Sequence, residues 1–528
     1  MESPMAWRSF TFASRDTHGR RSIGNLLPQT FNAEQFRSLA LAAIDAARRA
    51  GAEFADIRIG VQREFTPYAA NIGVGYGIRA RIEGCWSFQH GNVLELDAVV
   101  GASRIAVANA RASARVNKQR RRLDTVDMIP LSPVTGEWKS PVDIDPLAIS
   151  LDDYRRFDSS LEEPVKRLGF VTATGGSGWH VETRVFASTV GSLITQEFTR
   201  GGISLNVAAS AVDNVEDLVI LDVPGLGIRS TGFETALASD YAERTLLTAE
   251  QAVRWRALPL RPFVDVGRFP VVFDGATMAS VVGQTVDLAV DGDRLAGLEA
   301  DASGMSFLAA GSQVFRTSSS LLSLLLTITS DHAVPSSVAV KWDDEGIATE
   351  PYVVVDRGRI VGCHTTWETM SLLTAWSRDR GISLRSHGGA VAPTPASLPL
   401  ADGGNLGVAP GTSRTSIDDL FRDIDHGFLV IGGTAAAGSR LTTGVLRSSL
   451  VIEVRRGKPV ARVPNICFVF STLGVLGKGL LALGGAETMG TATSVTEKGI
   501  PWQTMTHPVS APAAYCKEID VANWNVGG

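Results

Sequence analysis

The chain has 528 residues, 50 basic against 55 acidic, formally −5 at neutral pH, with 44% hydrophobic and 20% charged side chains. That length is too great for one ordinary core and sets an expectation of two large domains. The composition excludes extended disorder, and the near-balanced charge gives no electrostatic basis for nucleic-acid binding or a polybasic membrane contact.

Residues 1–30 read as a disordered leader, because Arg20-Arg21 is followed by no apolar core and no small-residue cleavage site. Asn32-Ala33-Glu34-Gln35 then resembles a capping box, and Phe36, Leu39, Ala40, Ala43, Ile44 and Ala47 share one helical face up to a C-cap at Gly51. Ile57, Ile59 and Val61 alternate with Arg58, Gly60 and Gln62, the period of a half-buried strand. A hairpin follows, Tyr76 to Arg81 turning at Glu83-Gly84 into Cys85 to Phe88, and an Ala-rich helix runs from about Glu95 to Val116. Asn117 to Glu163 has weak periodicity. Glu182 to Ala187 and Leu193 to Phe198 form a second hairpin around Val190-Gly191-Ser192, Ile203 to Ala208 adds a strand, and Asp240 to Ala257 is helical.

The second half opens with the short strand Phe269 to Phe273, after which Asp274 caps a helix bearing Met278, Val281, Val282, Val286 and Ala289. Strands are expected at Ser337 to Lys341, Tyr352 to Val355, Phe428 to Ile431 and Leu450 to Val454, with His387 to Ser416 largely loop. The most apolar long window, Ile466 to Ala486, is interrupted by Lys478 and several glycines, so no membrane-spanning segment is expected. Cys85, Cys363, Cys467 and Cys516 form no C-x-x-C pair, which points to reduced thiols in a cytoplasm rather than disulfides or a zinc knuckle.

Several of these pieces, in this order, are similar to the TldD/PmbA family of peptidase subunits. They include Gly51-Ala52-Glu53-Phe54-Ala55-Asp56-Ile57-Arg58, Gly75-Tyr76-Gly77-Ile78-Arg79-Ala80-Arg81, Gly84-Cys85-Trp86-Ser87-Phe88, and Glu182-Thr183-Arg184-Val185-Phe186-Ala187-Ser188. In the second half the matches are Asp343-Asp344-Glu345-Gly346, Gly358-Arg359-Ile360-Val361-Gly362, and Asn405-Leu406-Gly407-Val408-Ala409-Pro410-Gly411 followed by Asp418-Asp419-Leu420. The resemblance covers about Asn32 to Val521 and is closer to TldD than to TldE, also called PmbA.

TldD-type subunits carry H-E-x-x-x-H-x-x-E-G-D on a helix, the histidines binding zinc and the Glu serving as general base, with a C-terminal Cys as third ligand. On a regular helix residues five apart point about 140° away from each other, so such a pair needs a locally widened turn as well as two imidazoles. Here the helix reads Gly283-Gln284-Thr285-Val286-Asp287-Leu288-Ala289-Val290-Asp291-Gly292-Asp293. With Asp291-Gly292-Asp293 as anchor, Gly283 and Leu288 take the histidine positions and Gln284 the Glu position. Val495-Thr496-Glu497-Lys498-Gly499 lies about where the family has its Cys-Gly-Lys run. Glycine and leucine cannot coordinate, and glutamine cannot take a proton from water as a carboxylate does. The helix also has a plainer reading as core scaffold.

Other candidate groups default to plain roles. His364 with Glu368, and Asp423, Asp425 and His426, lack a completed ligand set and read as solvated turn residues. Cys516 and His507 form a thiol–imidazole pair only if the fold joins them, Asp343-Asp344-Glu345-Gly346 suits a tight turn better than a cation loop, and the glycines at 474, 477, 479, 484 and 485 suit close packing.

The expected architecture is α+β, with an N-terminal helix-and-sheet domain over 31–239 and a larger, strand-rich C-terminal domain over 240–528. The resemblance implies a heterodimer that cleaves extended, unfolded or leader-type peptides in a tunnel, with zinc in a TldD-type partner; the residues at the family positions imply neither metal nor catalysis in this chain, and the scattered cysteines a cytoplasmic location. The alternatives are a metallopeptidase with a relocated site and a homodimeric peptide-binding module. No nucleic acid or membrane partner is expected.

Overall fold

The computed structural model describes residues 6–11, 22–27, 32–120, 128–210, 217–238, 240–261, 266–299, 305–308, 321–333, 336–378, 382, 385–413, 415–499 and 502–523. The first helix spans Ala33–Arg49, where the side chain of Asn32 accepts from the Gln35 amide at 2.8 Å and Gly51 takes a left-handed φ of 84° just past the end. All six residues assigned to its apolar face are buried. An Asn32→Ala variant is expected to lose about 1 kcal/mol in urea unfolding; an unchanged midpoint would mean that the cap is not used.

A nine-stranded sheet forms the N-terminal half in the order Ala6–Thr11, Ala69–Ile82, Phe54–Phe65, Val171–Ser188, Leu193–Ala209, Thr135–Lys139. Cys85–Gly91 pairs with Ala69–Ile82 through the turn at Glu83-Gly84, both at positive φ as that two-residue hairpin turn requires. The strand expected at Ile203 to Ala208 is not separate: it continues Leu193–Ala209, which pairs with Val171–Ser188 over its whole length. Part of the segment expected as a disordered leader also differs. Ala6–Thr11 is an edge strand antiparallel to Ala69–Val74, and Ile23, on the helical turn Ile23–Leu26, is fully buried; the remainder of 1–30 lies largely outside the described residues.

Ala33–Arg49 and Leu96–Arg120 cover one face of this sheet over Ile57, Ile59 and Val61. The other face, expected to meet solvent, is buried as well. Arg58 is fully buried, donating to the backbone oxygens of Asp344 and Ser397, and a Cβ on Gly60 would lie 3.1 Å from Pro395. Loops of the C-terminal half press on this face. Alternation alone could not show it, because strands buried by polar pairing keep a polar register.

Two large sheets and the short pair Ala390–Val391 with Leu400–Ala401 make up the described part of the C-terminal half. The larger has nine strands, in the order Thr434–Ala437, Thr443–Arg447, Ile466–Ser471, Ala514–Asn523, Gly267–Phe273, His426–Ile431, Leu450–Arg455, Lys458–Arg462, with Leu480–Leu483 added beside Ala514–Asn523. The smaller has six: Arg359–Ile360, Tyr352–Asp356, Ile328–Asp331, Asn405–Val408, Gln503–Ala511, Gly490–Lys498. Residues 337–341 form no strand, contrary to expectation; Ser336 makes a single bridge to Arg229, and the chain turns there. The helix from Gly275 packs between the two sheets, in one core with Val271, Phe428 and Val430 of the larger and Ile328, Leu406 and Val509 of the smaller. Alternate residues Val272, Leu429 and Ile452 instead join the N-terminal core, so the larger sheet is buried on both faces.

Candidate functional site: a buried ionic chain on a widened helix

Asp274 caps the central helix, accepting from the Thr277 amide at 2.8 Å. The helix is regular over Gly275–Val282, widens to a π-turn over Gly283–Asp287, and resumes at Leu288. The distortion that a five-residue ligand pair would need is therefore present without the pair. Gly283 is buried, and a Cβ there would lie 3.2 Å from both Ser494 Cβ and Val509 Cγ2. Leu288 is buried in the apolar core, and half-buried Gln284 points its amide toward the Val495 carbonyl at 3.4 Å. Thr496 is buried too, its hydroxyl without a hydrogen-bond partner among the described residues. The positions that the resemblance assigns to zinc thus offer no imidazole and no thiolate, a side chain at Gly283 would crowd Ser494 and Val509, and they do not fit that ion.

The widened turn presents Asp287 instead. A carboxylate only accepts, so the Nε2 of each neighbouring ring donates: His507 at 2.7 Å to one oxygen, His364 at 3.0 Å to the other. The Tyr352 hydroxyl hydrogen-bonds to the far nitrogen of His364, and His387 stacks on the Tyr352 ring at 4.4 Å. His507 Nδ1 lies 3.3 Å from Asp402, within ion-pair reach though off hydrogen-bond geometry. Lys498 continues the chain, 3.5 Å from Asp402 and 2.5 Å from Asp291, and donates to the Ala401 carbonyl at 2.6 Å. Arg294 closes it at 3.2 Å from Asp291. Asp293 stands beside it, accepting from the Ala401 amide at 2.6 Å.

Burial by itself would raise the Asp287 carboxyl, but the His507 and His364 rings outweigh it and hold the group well below the carboxylate range. Burial likewise disfavours a charged His507, yet Asp287 and Asp402 together push it well above the usual imidazole value. Lys498 is raised in the same way, burial being outweighed by Asp291 and Asp402. Asp293 goes the other way: burial lifts it to about 7. The chain is thus a charged, closed network in which every side chain but half-buried His387 is buried, and it joins the helix, three strands of the smaller sheet and the loops that carry His364 and Asp402. Without access it cannot meet a substrate; it can cross-link the elements around it.

The anchor residues Asp291 and Asp293 therefore serve this network. Backbone contacts add to it, Gly292 N donating to the His364 carbonyl at 2.7 Å and His364 N to the Val290 carbonyl at 3.0 Å. His364 is fully buried rather than a solvated turn residue, because the helix end docks directly on it. Glu368 lies instead on the separate helix Trp367–Leu372. His426 pairs with Glu453 at 3.1 Å while Asp423 and Asp425 face solvent. Cys516 does not pair with His507. The two occupy different sheets, and the Cys516 thiol, raised to about 12 by burial, faces the Val475 carbonyl. Among the described residues no group of three or more His, Cys, Asp or Glu is arranged to hold a metal ion. Asp343 does form the expected turn, accepting from the Glu345 and Ile347 amides at 2.9 Å each, with Gly346 at a φ of 79°. Asp287, Asp402, Lys498 and Tyr352 escaped the sequence reading, although an aspartate on an otherwise apolar buried helix was a signal for the first.

The same turn locks the two halves together. Arg79 reaches Asp56 at 2.5 Å and Glu345 at 2.6 Å, and Arg184 bridges Glu182 and Asp344. Apolar islands flank these pairs, Phe54 with Trp367 and Met370 on one side and Phe186 with Ile194 and Trp342 on the other.

The scaffold is α+β, its C-terminal half holding a π-widened helix between two sheets with a buried ionic chain beside it, and its C-terminal profile makes it metallopeptidase-like. Residues 266–523 match the family profile described as the PmbA/TldA metallopeptidase C-terminal domain. TldE from Thermococcus kodakarensis has a similar structure, with a TM-score of 0.63 at 14% identity, covering 92% of this chain and 100% of that one. A protein from Thermotoga maritima described as a proposed modulator of DNA gyrase gives 0.61 at 14% identity, covering 92% and 100%. Another so described, from Bacteroides thetaiotaomicron, gives 0.62 at 15% identity, covering 93% and 99%. No curated protein matches the chain. The C-terminal half thus belongs with the TldD/PmbA family by its profile, and the chain as a whole shares the fold of these structures. Among the described residues, no helix is long and apolar enough to cross a membrane.

Proposed function

We propose that this chain is a non-catalytic, cytoplasmic subunit of a TldD/PmbA-type peptidase complex that completes a peptide-binding tunnel with a zinc-bearing TldD-type partner. The observation that carries this reading is the central helix: Gly283 is packed against Ser494 and Val509 and carries no side chain, Leu288 belongs to the core, and the nearby histidines are committed to Asp287. The similarity to TldE supports a place within a complex. Zinc and its activated water would come from the partner, and the substrates would be unfolded or leader-type peptides. An extended peptide can be held by main-chain hydrogen bonds along a sheet edge, and Gly490–Lys498 is such an edge beside the widened helix.

Co-expression with a TldD-type subunit is expected to give a stable complex, one zinc per pair, and cleavage of an unfolded peptide that this chain alone does not cleave. Stoichiometric zinc and peptide cleavage by the isolated chain would refute the reading.

A further inference from the structure

A second site lies in the N-terminal half, away from the ionic chain. Three adjacent strands of the first sheet place Arg63, Val181 and Thr199 in one cross-strand row, and Val61, Thr183 and Glu197 in the next, with Lys139 beside Glu197. Arg63, Thr183, Thr199, Glu197 and Lys139 line a cleft of about 480 Å³ that Leu27, Val142 and Leu147 cover from the side, with Asp143 at the same cleft. That volume falls in the range of small-molecule sites.

The polar groups in it are unevenly used. Lys139 pairs with Glu197 at 2.9 Å. Among the described residues the half-buried Arg63 guanidinium has no hydrogen-bond or ion-pair partner, and the hydroxyls of Thr183 and Thr199 have none either. Burial lowers the Arg63 pKa, and the Glu197 charge offsets only part of that. A planar cation removed from water without a carboxylate is costly to keep, and a two-oxygen anion matches its fork. Exposed Asp143, on the same lining, supplies the opposite charge.

We infer that this cleft binds a small zwitterion with a free carboxylate and a free ammonium, of the kind a short peptide supplies, with its terminal carboxylate on Arg63 and the Thr183 and Thr199 hydroxyls and its ammonium toward Asp143 and Glu197. The site does not depend on a partner subunit or on the reading of the central helix.

Calorimetric titration of the full chain with tri-alanine, tri-alanine amide and inorganic phosphate tests this. Tri-alanine is expected to bind saturably, the amide at least tenfold more weakly, and Arg63→Gln to lose at least tenfold while its unfolding midpoint stays that of the wild type. If Arg63→Gln does not fold, Thr183→Val replaces it, with about a threefold loss expected. No binding by the wild type, equal binding of the amide, tighter binding of phosphate, or unchanged binding by the folded variant would each overturn the assignment. None of these outcomes bears on whether a zinc-bearing partner exists.

Discussion

Replacing Asp287 with alanine is expected to cost about 3–5 kcal/mol of folding stability, the range for removing one partner from a buried charge pair. The loss follows from what remains: an imidazolium and a second ring, both buried, lose the carboxylate to which each donates. Asp287→Asn keeps the shape and isolates the charge. The Asp287 carboxyl is depressed in the folded chain, so its contribution is in full above the unfolded value of about 4 and fades as pH falls below that. His507 is raised, so its contribution is in full below the unfolded value of about 6.5 and fades as pH climbs toward the folded value. The stability gap between wild type and Asp287→Asn is therefore expected to be widest between about pH 4 and 6.5 and to narrow on both sides. Urea unfolding at several pH values measures it, and a gap of constant size from acid to alkaline pH would contradict the network.

Arg79→Met should have a comparable effect, about 3–5 kcal/mol, by a different route. It leaves Asp56 and Glu345 buried without their shared cation, and those two residues come from opposite halves of the chain. Burial disfavours charge on Arg79, but Asp56 and Glu345 reverse this and hold its pKa above the ordinary guanidinium value. The variant is expected to unfold at lower urea and to admit protease at the interface between halves before the core melts. Wild-type resistance to a protease pulse, together with an unshifted midpoint, would show that the apolar islands hold the interface unaided.

The two variants probe different layers. Asp287 ties the helix to the smaller sheet, whereas Arg79 ties the first sheet to the turn at Asp343-Asp344-Glu345-Gly346. That turn was legible from its residue types, but not its role. A tight turn and a latch use the same acidic residues, and only the docking of Arg79 and Arg184 on them distinguishes the two.

Local pattern determined a good deal: the capped helix Ala33–Arg49, both N-terminal hairpins, the Asp274 cap, and the absence of imidazole and thiolate from the helix that resembles a zinc helix. Each of these is a property of neighbours in sequence, where backbone hydrogen bonding and side-chain identity suffice. Tertiary structure alone decided that Arg58 and Gln62 are buried, that His364 and His507 share Asp287, and that Lys498 joins Asp291 to Asp402. These partners lie tens to hundreds of positions apart. A charge is tolerated out of water only when another segment brings its counter-charge within about 4 Å, and no local window of sequence contains that segment.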